Sequence, residues 1–182
     1  MARPGIVGLI IVAVIVGGAL PSSAAQFAID PGRGIGPASV GMPAGAARTA
    51  LAAFGGRLSS ARQGDMQVLG SASEGISVWI QGGVVRRVRT VNPEHRTVTG
   101  LAPGVRFDAI VRESFCNKDG IRAAVEFERT ESSHIGCPFT GLIVEVAEGQ
   151  VIAVSVIAAC APFEKERACL WRPGSVAVRP AP

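Results

Sequence analysis

Few residues in this sequence are suited to acid–base or nucleophilic chemistry. The two histidines are His95, in the stretch NPEHRT, and His134, in the stretch TESSHIG, where Ser133 directly precedes it. General acid–base catalysis needs a poised histidine or two apposed carboxylates, and nucleophilic catalysis needs a nucleophile beside an oriented base. Residues adjacent in the chain rarely aim at each other, so we interpret both histidines as exposed loop residues. We predict no catalytic residues and no enzyme activity; a small hydrolase built around His134 is the alternative.

A glycine-rich stretch, DPGRGIGPASVGMPAG at residues 30–45, raises the question of a nucleotide phosphate site. A dinucleotide fingerprint needs G-x-G-x-x-G between a strand and a helix. The pattern that begins at Gly34 has Ser39 in place of its third glycine, and the chain contains no P-loop pattern. We therefore predict a turn and no cofactor. A helix should follow, beginning near Pro43, running to about Phe54 and stopping at the next two glycines.

The N-terminal segment, residues 1–25, has the composition of an export signal. Arg3 precedes an apolar run at Ile6–Leu20, and Ser23 and Ala25 form a small-x-small cleavage pattern. The apolar run is shorter than the roughly 20 residues that span a bilayer core, so an uncleaved anchor is the less favoured alternative. We predict cleavage after Ala25 and a periplasmic or secreted protein that keeps no membrane anchor.

All four cysteines lie in the second half of the chain, and an even number in an exported protein indicates two disulfides. We predict the sequential pairs Cys116–Cys137 and Cys160–Cys169, since short loops close at little entropic cost. The alternative is a bond between Cys137 and Cys160, if the hairpin around Glu148-Gly149 extends backwards far enough. Cys116, His134 and Cys137 are also three conceivable zinc ligands, but their spacing matches no familiar ligand knuckle, and we predict no metal site.

An internal repeat organises most of the chain. The stretch ISVWIQGGVVRRV, at 76–88, matches LIVEVAEGQVIAV, at 142–154, in six apolar or glycine positions at one constant spacing. Upstream, VGMPAGAARTAL is echoed by LAPGVRFDAIVRESF at a slightly shorter spacing. We predict an α+β fold of two tandem repeats, residues 26–96 and 97–158, followed by a cysteine-containing tail at 159–182. Each repeat should contain a helix or helix pair followed by a three-stranded antiparallel sheet.

The alternation of apolar residues predicts how each hairpin is built. Residues 76, 78 and 80 should face inward, and Gly82-Gly83 or Glu148-Gly149 should make the turn. The returning strand does not alternate simply, which predicts a bulge that places Arg86-Arg87 opposite Trp79. The helices are expected to cover one face of the sheet and to leave the other face in water.

A "GM" or "PG" turn ahead of a helix, followed by a short x-x-G-x-V hairpin and doubled along the chain, resembles the tandem repeats of the beta-lactamase-inhibitory-protein-like fold. The outer-membrane assembly lipoproteins of the SmpA/OmlA type share this unit. The resemblance covers roughly residues 34–158. It implies two helix-plus-sheet units side by side and a protein-binding concave sheet surface. The chain lacks the lipid-anchor cysteine of the assembly lipoproteins.

The predicted open face carries the candidate binding residues Trp79, Arg87 and Arg89. An exposed tryptophan flanked by arginines has the composition of a binding hot spot. The alternative is a surface tryptophan that is merely shielded by an arginine side chain. In the second repeat, the corresponding face carries Glu126, Glu128 and Glu145. We expect these residues to form a solvated acidic surface in preference to a calcium site.

The charge and the candidate residues together predict a class of function. The formal net charge of +4 is too small and too unevenly distributed to indicate a nucleic-acid partner. We predict a protein-interaction module, inhibitory or scaffolding in role, that binds another envelope or secreted protein through an exposed sheet face. The alternatives are a scaffold or stress protein with no defined partner, a small periplasmic hydrolase and a binder of anionic cell-surface polymer.

Overall fold

The structure is a computed structural model, and it describes residues 28–55, 57–108, 125–129, 132–137 and 140–159. Its first elements are β1 (Ile29–Asp30), β2 (Gly34–Ile35), β3 (Ala38–Ser39) and the helix α1 (Ala44–Gly55). Four strands follow: β4 (Leu58–Gln63), β5 (Met66–Ser71), β6 (Ile76–Gln81) and β7 (Val84–Thr90). The last four strands are β8 (Val125–Arg129), β9 (Ser132–Cys137), β10 (Leu142–Ala147) and β11 (Gln150–Ile157).

The strands from β4 onward form one eight-stranded antiparallel sheet, in the order β4-β5-β6-β7-β11-β10-β9-β8. Strands β4 to β7 are one meander, β8 to β11 are a second, and the two meanders join where β7 pairs with β11. The predicted fold of two helix-plus-sheet repeats is therefore wrong. Each meander has four strands in place of three, and α1 is the one helix within the described residues. The predicted boundaries of the repeats and the tail stay predictions.

Both hairpins that the repeat predicts are present, with the same local geometry. In the first, Trp79 pairs with Arg87 and Ile80 pairs with Val85, so Arg86 is the extra residue of a bulge. This confirms the predicted bulge. In the second, the pairing shifts at the equivalent place, between Glu145 and Val146. The two turns also match, because positive φ angles occur at Gly82 and Gly83 in one turn and at Glu148 and Gly149 in the other.

An approximate two-fold relation joins the two meanders. Arg89 pairs with Ser155, the residue that corresponds to it at the repeat spacing. At the repeat spacing Val88 corresponds to Val154 and Thr90 to Val156. In the sheet the partners are exchanged, because Val88 pairs with Val156 and Thr90 pairs with Val154, as two-fold symmetry requires. The single sheet has a physical reason. The last strand of each meander, β7 or β11, would otherwise have an unpaired edge, and these two edges pair with each other.

The segment predicted to begin the second helix instead binds the second hairpin. The Gly104 and Phe107 amides donate to the carbonyls of Val151 and Gly149, at 2.7 and 2.9 Å. Gly41 and Ala44 make the same contacts to Val85 and Gly83 of the first hairpin. Residues 101–108 accordingly form turns and no helix, and the rest of that predicted helix lies outside the described residues.

Helix α1 agrees with its prediction: it begins directly after Pro43 and ends at Gly55. Its buried residues Ala47 and Leu51 are one turn apart and face the sheet. They pack with the apolar residues of the inner face, which we define as the sheet face that α1 contacts. That core includes Leu69, Ile76, Val78, Val88, Val144, Val154 and Val156. Within the described residues, no helix is long and apolar enough to cross a membrane.

The glycine-rich loop contains the predicted turns and packs closely against neighbouring segments. A side chain at Gly34 would collide with the carbonyl of Ala38 in the neighbouring strand. Gly32 has a φ of +71°, and a Cβ there would lie 3.0 Å from the Cβ of Ala159. The first amide of α1, at Ala44, already donates to the carbonyl of Gly83. The loop therefore holds β1 to β3 against the end of β11.

Candidate functional site

The sheet has a second side, the outer face, whose centre is polar. The pairing of β7, β11, β10 and β9 brings together the side chains of Arg87, Arg89, Ser155, Glu145 and His134. They come from both meanders, and residues far apart in the chain meet only because β7 and β11 are neighbours. We call these five residues the Arg–Glu network.

Glu145 is the centre of the Arg–Glu network. Arg89 binds its carboxylate with two nitrogens, Nε to Oε1 at 2.7 Å and Nη2 to Oε2 at 2.7 Å. Arg87 donates from Nη2 to Oε1 at 3.0 Å and reaches Ser155 Oγ through Nε and Nη2, at 2.9 and 2.7 Å. His134 Nε2 lies 3.6 Å from the same carboxylate oxygen. Two cations thus share one anion, in the bidentate geometry that gives the strongest charge-assisted hydrogen bonds.

The centre of the network is buried, which corrects the prediction that Arg87 lies on a face open to water. Arg87 is 6% exposed and Glu145 is 7% exposed. Buried Ile143 and Ile157 flank them. The error has a simple cause: the joined meanders place the arginines in the middle of an eight-stranded sheet, whereas two separate small sheets would have left them at a margin. Glu145 likewise belongs to a buried ion pair and not to a solvated acidic surface.

The other predicted acidic residues do not share the register of Glu145. His134 pairs with Glu145 on one side and with Phe127 on the other, whereas Glu126 pairs with Ile135. The described residues contain no group of three or more His, Cys, Asp or Glu placed to hold a metal ion.

Trp79, the remaining predicted binding residue, links the network to the surface. The Arg87 guanidinium carbon lies 4.8 Å from the centre of its ring, a cation–π distance. Its indole Nε1 donates to Gln63 Oε1 of β4 at 3.2 Å. Trp79 is half-buried, so one part of the ring stays accessible. Trp79, Arg87 and Arg89 do share one face as predicted, but the donors of the two arginines point at Glu145 and Ser155.

The prediction that both histidines are exposed loop residues is wrong. His134 lies on β9 with a side chain that is 13% exposed, and its Nδ1 is buried without a hydrogen-bond partner in the described part of the chain. His95 is fully buried. Its Nδ1 lies 2.6 Å from Thr90 Oγ1, and its ring stacks on Phe54 of α1. His95 therefore fastens the end of β7 to the helix.

The environments of Glu145 and His95 change their acidity. Burial opposes ionisation of Glu145, but the hydrogen bonds from Arg89, the nearby imidazole of His134 and the charges of Arg89 and Arg87 overcome it and hold its pKa well below the usual range. Burial lowers the pKa of His95, and the nearby charge of Glu94 offsets this only in part. Both groups therefore bind a proton more readily in the unfolded chain than in the folded one.

We expect the free energy of unfolding to fall in two separate steps as the pH is lowered. The first begins below pH about 6.5, the ordinary pKa of histidine, and comes from His95. The second begins below pH about 4.5 and comes from Glu145, whose contribution is complete above that pH. Each group can change the stability by at most about 1.4 kcal/mol per pH unit.

Urea denaturation at pH 7.5, 5.5 and 3.5 measures both steps. His95→Gln should flatten the first step and leave the second, and Glu145→Gln should do the reverse. A pH profile that neither substitution alters would contradict the burial of the two groups.

Cys137 is buried on β9 and is disulfide-bonded. The other three cysteines, one of which is its partner, lie outside the described residues: Cys116, Cys160 and Cys169. The pairings Cys116–Cys137 and Cys160–Cys169 therefore stay predictions. The hairpin geometry behind the Cys137–Cys160 alternative is not observed. The chain reverses before β10, so Cys137 pairs with Leu142, and β10 separates β9 from β11.

A second feature of the outer face, missed by the sequence interpretation, is the edge of the sheet at β4. Ala61 pairs with Val68, and Val68 pairs with Trp79, so the three form an apolar row that runs from the network to the edge. Five of the six residues of β4 are exposed. An open surface pocket of about 340 Å³ lies at the same edge, lined by Ser60, Ala61, Arg62 and Gln67. The turn glycine Gly64, six residues beyond Leu58, was the one sequence signal for this hairpin.

No protein-family model, curated protein or solved structure matches this chain. The resemblance to the beta-lactamase-inhibitory-protein-like fold stays a prediction, and the described residues do not have the two helix-plus-sheet units that it implies.

Proposed function

We propose that this chain is an exported protein-interaction module that binds another envelope or secreted protein. Its binding surface is the part of the outer face formed by β4, β5 and β6. The observation that carries the proposal is the apolar row Ala61, Val68 and Trp79, which opens onto an exposed sheet edge. An apolar row surrounded by polar side chains is the usual composition of a recognition surface.

Trp79 suits the role of an anchor because its ring is held in place before a partner arrives. Arg87 stacks on the ring and Gln63 accepts from the indole nitrogen. A rigid aromatic side chain loses little conformational entropy on binding, which favours affinity. Arg87 and Arg89 are assigned to the support of this ring and its strand, and not to direct contact with the partner.

The same contacts weigh against the two alternative functions. A binder of anionic polymer needs arginines that aim outward, whereas Arg87 and Arg89 direct their donors to Glu145 and Ser155. A hydrolase that uses His134 as its base needs a separate carboxylate that is free to orient the imidazole ring. Glu145 is already the counter-ion of two arginines.

Export is supported by the chemistry of one residue within the sheet. Disulfides persist in oxidising compartments, and Cys137 is disulfide-bonded. The signal-like composition of residues 1–25 supports the same localisation.

Site-specific photocrosslinking in the producing bacterium tests the proposal. A photoreactive amino acid at Ala61, which is exposed and lies in the apolar row, should give one discrete adduct whose partner mass spectrometry identifies. The matched control is the same amino acid at Val98, which is fully exposed and lies outside the sheet. With the partner purified, Ala61→Arg should weaken its binding about 30-fold or more, the loss expected at the centre of a hot spot. Equal adducts at both positions, or none at Ala61, would overturn the proposal.

A further inference from the structure

We propose that the outer edge of β4 binds an extended, acidic peptide segment of the partner as an additional strand of the sheet. This inference rests on the proposed function and names the kind of segment that the surface recognises.

The pairing of β4 with β5 shows which backbone groups point outward. Gln63 and Met66 close a two-residue turn at Gly64-Asp65, so their pair is hydrogen-bonded and the pairs alternate from there. Residues 59, 61 and 63 direct their N–H and C=O groups at β5. Residues 58, 60 and 62 direct theirs away from the sheet. No strand pairs with that side of β4 in the part of the chain that the structure describes.

This edge lacks the features by which proteins usually prevent strand addition. Natural edge strands are kept very short or carry prolines, bulges or several charges. β4 has six residues, no proline and an uninterrupted register with β5. Its middle residues Ser59, Ser60 and Ala61 are small and exposed, and Arg62 is its single charge. A peptide backbone can therefore approach to the normal distance between strands.

The charges around the edge define the chemistry of the added strand. Arg57 directly precedes β4, Arg62 lies within its exposed part, and α1, which contacts β4, carries Arg48 as its one charged residue. None of these three arginines forms a salt bridge within the described residues. The nearest acidic residue along the chain, Asp65, accepts a hydrogen bond from the neutral amide of Gln81 and keeps its charge, so the three arginines outnumber it. The edge is thus basic, and an acidic segment complements it.

The two faces of the added strand should differ. Successive side chains of a strand alternate between faces. On the inner face, beside Ser60 and Arg62, acidic side chains would approach the arginine and the open pocket. On the outer face, small or apolar side chains would extend the apolar row beyond Ala61. Main-chain hydrogen bonds supply affinity and the alternate side chains supply specificity, as in other cases of strand addition.

The test uses a ten-residue peptide that alternates Glu and Val, with the same peptide carrying Lys in place of Glu as its control. Hydrogen exchange by NMR should show new protection of the amides of residues 58, 60 and 62 when the Glu peptide is added. Arg62→Glu should weaken the binding of the Glu peptide at least tenfold and improve that of the Lys peptide, while Arg62→Lys should change neither by much. Protection of none of these amides, or equal binding of both peptides, would overturn the proposal.

Ser60→Pro separates strand addition from contact with the outer face alone. Proline at this position removes an outward N–H and leaves the backbone hydrogen bonds to β5 in place. Both Ser60→Pro and Ser60→Ala remove the hydroxyl that accepts a hydrogen bond from Gln67 of β5, so the alanine variant controls for that loss. It should abolish binding of the Glu peptide, whereas Ser60→Ala, which keeps the N–H, should bind normally. If Ser60→Pro does not fold, the exchange experiment on the unsubstituted protein still decides.

The outcomes distinguish this inference from the proposed function. A partner adduct at Ala61 that persists in Ser60→Pro would keep the proposed function and overturn strand addition. Absence of the Ala61 adduct both from the protein with Ser60 unchanged and from Ser60→Pro would overturn the proposed function itself. Protection of the same amides that grows with protein concentration in the absence of peptide would show that the occupant is a second copy, and would overturn the assignment to an acidic partner.

Discussion

Glu145→Ala is expected to lower the free energy of unfolding at pH 7 by about 3–5 kcal/mol, the typical loss when one partner of a buried ion pair is removed. The carboxylate accepts two hydrogen bonds from Arg89 and one from Arg87. Without it, two positive charges would remain side by side, one of them on the buried Arg87. Urea denaturation under non-reducing conditions measures the loss.

Two further variants isolate the cause. Glu94 is exposed, so Glu94→Ala should change the free energy of unfolding by less than about 0.5 kcal/mol. Replacement of Arg87, Arg89 and Glu145 together by methionine should cost less than Glu145→Ala, since no charge is left buried without a partner. A loss below about 1 kcal/mol in Glu145→Ala would mean that water reaches the network.

Gly141→Ala should be about as damaging, with an expected loss of about 3 kcal/mol or more. Gly141 has a φ of +67°, where a side chain adds backbone strain of about 1–3 kcal/mol. Its Cβ would also collide with the carbonyl of Ile157 and lie 2.8 Å from the Cα of Gly32. Three backbone segments meet there, so none of them can move aside cheaply, and such overpacking costs another 1–3 kcal/mol or so.

Gly149→Ala is the matched control for Gly141→Ala. Its φ of +74° is nearly the same, but a Cβ at that position meets nothing within 4 Å. It should therefore cost only the backbone strain, about 1 kcal/mol. Equal losses in the two variants would show that the packing of the three segments around Gly141 is loose. Thermal unfolding monitored by circular dichroism compares the two variants directly.

The features that sequence interpretation predicted correctly are local ones. The bulge at Arg86 follows from the spacing of Val85 and Val88, and α1 follows from Pro43 and the glycines after Phe54. The turns at Gly82-Gly83 and Glu148-Gly149 were predicted from the same two stretches. Each of these depends on residues a few positions apart, whose backbone preferences act whatever the rest of the chain does.

The errors concern contacts between distant segments. His134, Arg87 and Glu145 each look like surface residues when considered alone, because histidine, arginine and glutamate are mostly exposed in proteins. The sequence contained one signal for this contact. Glu145 occupies the position of Trp79 in the repeat, and each of the two residues lies at the bulge of its own hairpin. That correspondence identifies equivalent positions but not which strands become neighbours.

By itself, the sequence determined the two hairpins, their bulges, the position of the helix and the glycines at the turns, since short-range backbone and side-chain preferences are sufficient for these. Only the tertiary structure decided that β7 pairs with β11, that one continuous sheet results and that no strand within the described residues pairs with the outer edge of β4. The physical reason is that any free strand edge offers the same backbone donors and acceptors. Which edges meet is decided by how the whole chain buries its apolar faces, and that pairing is what encloses Arg87 and Glu145 and leaves the apolar row beside β4 exposed.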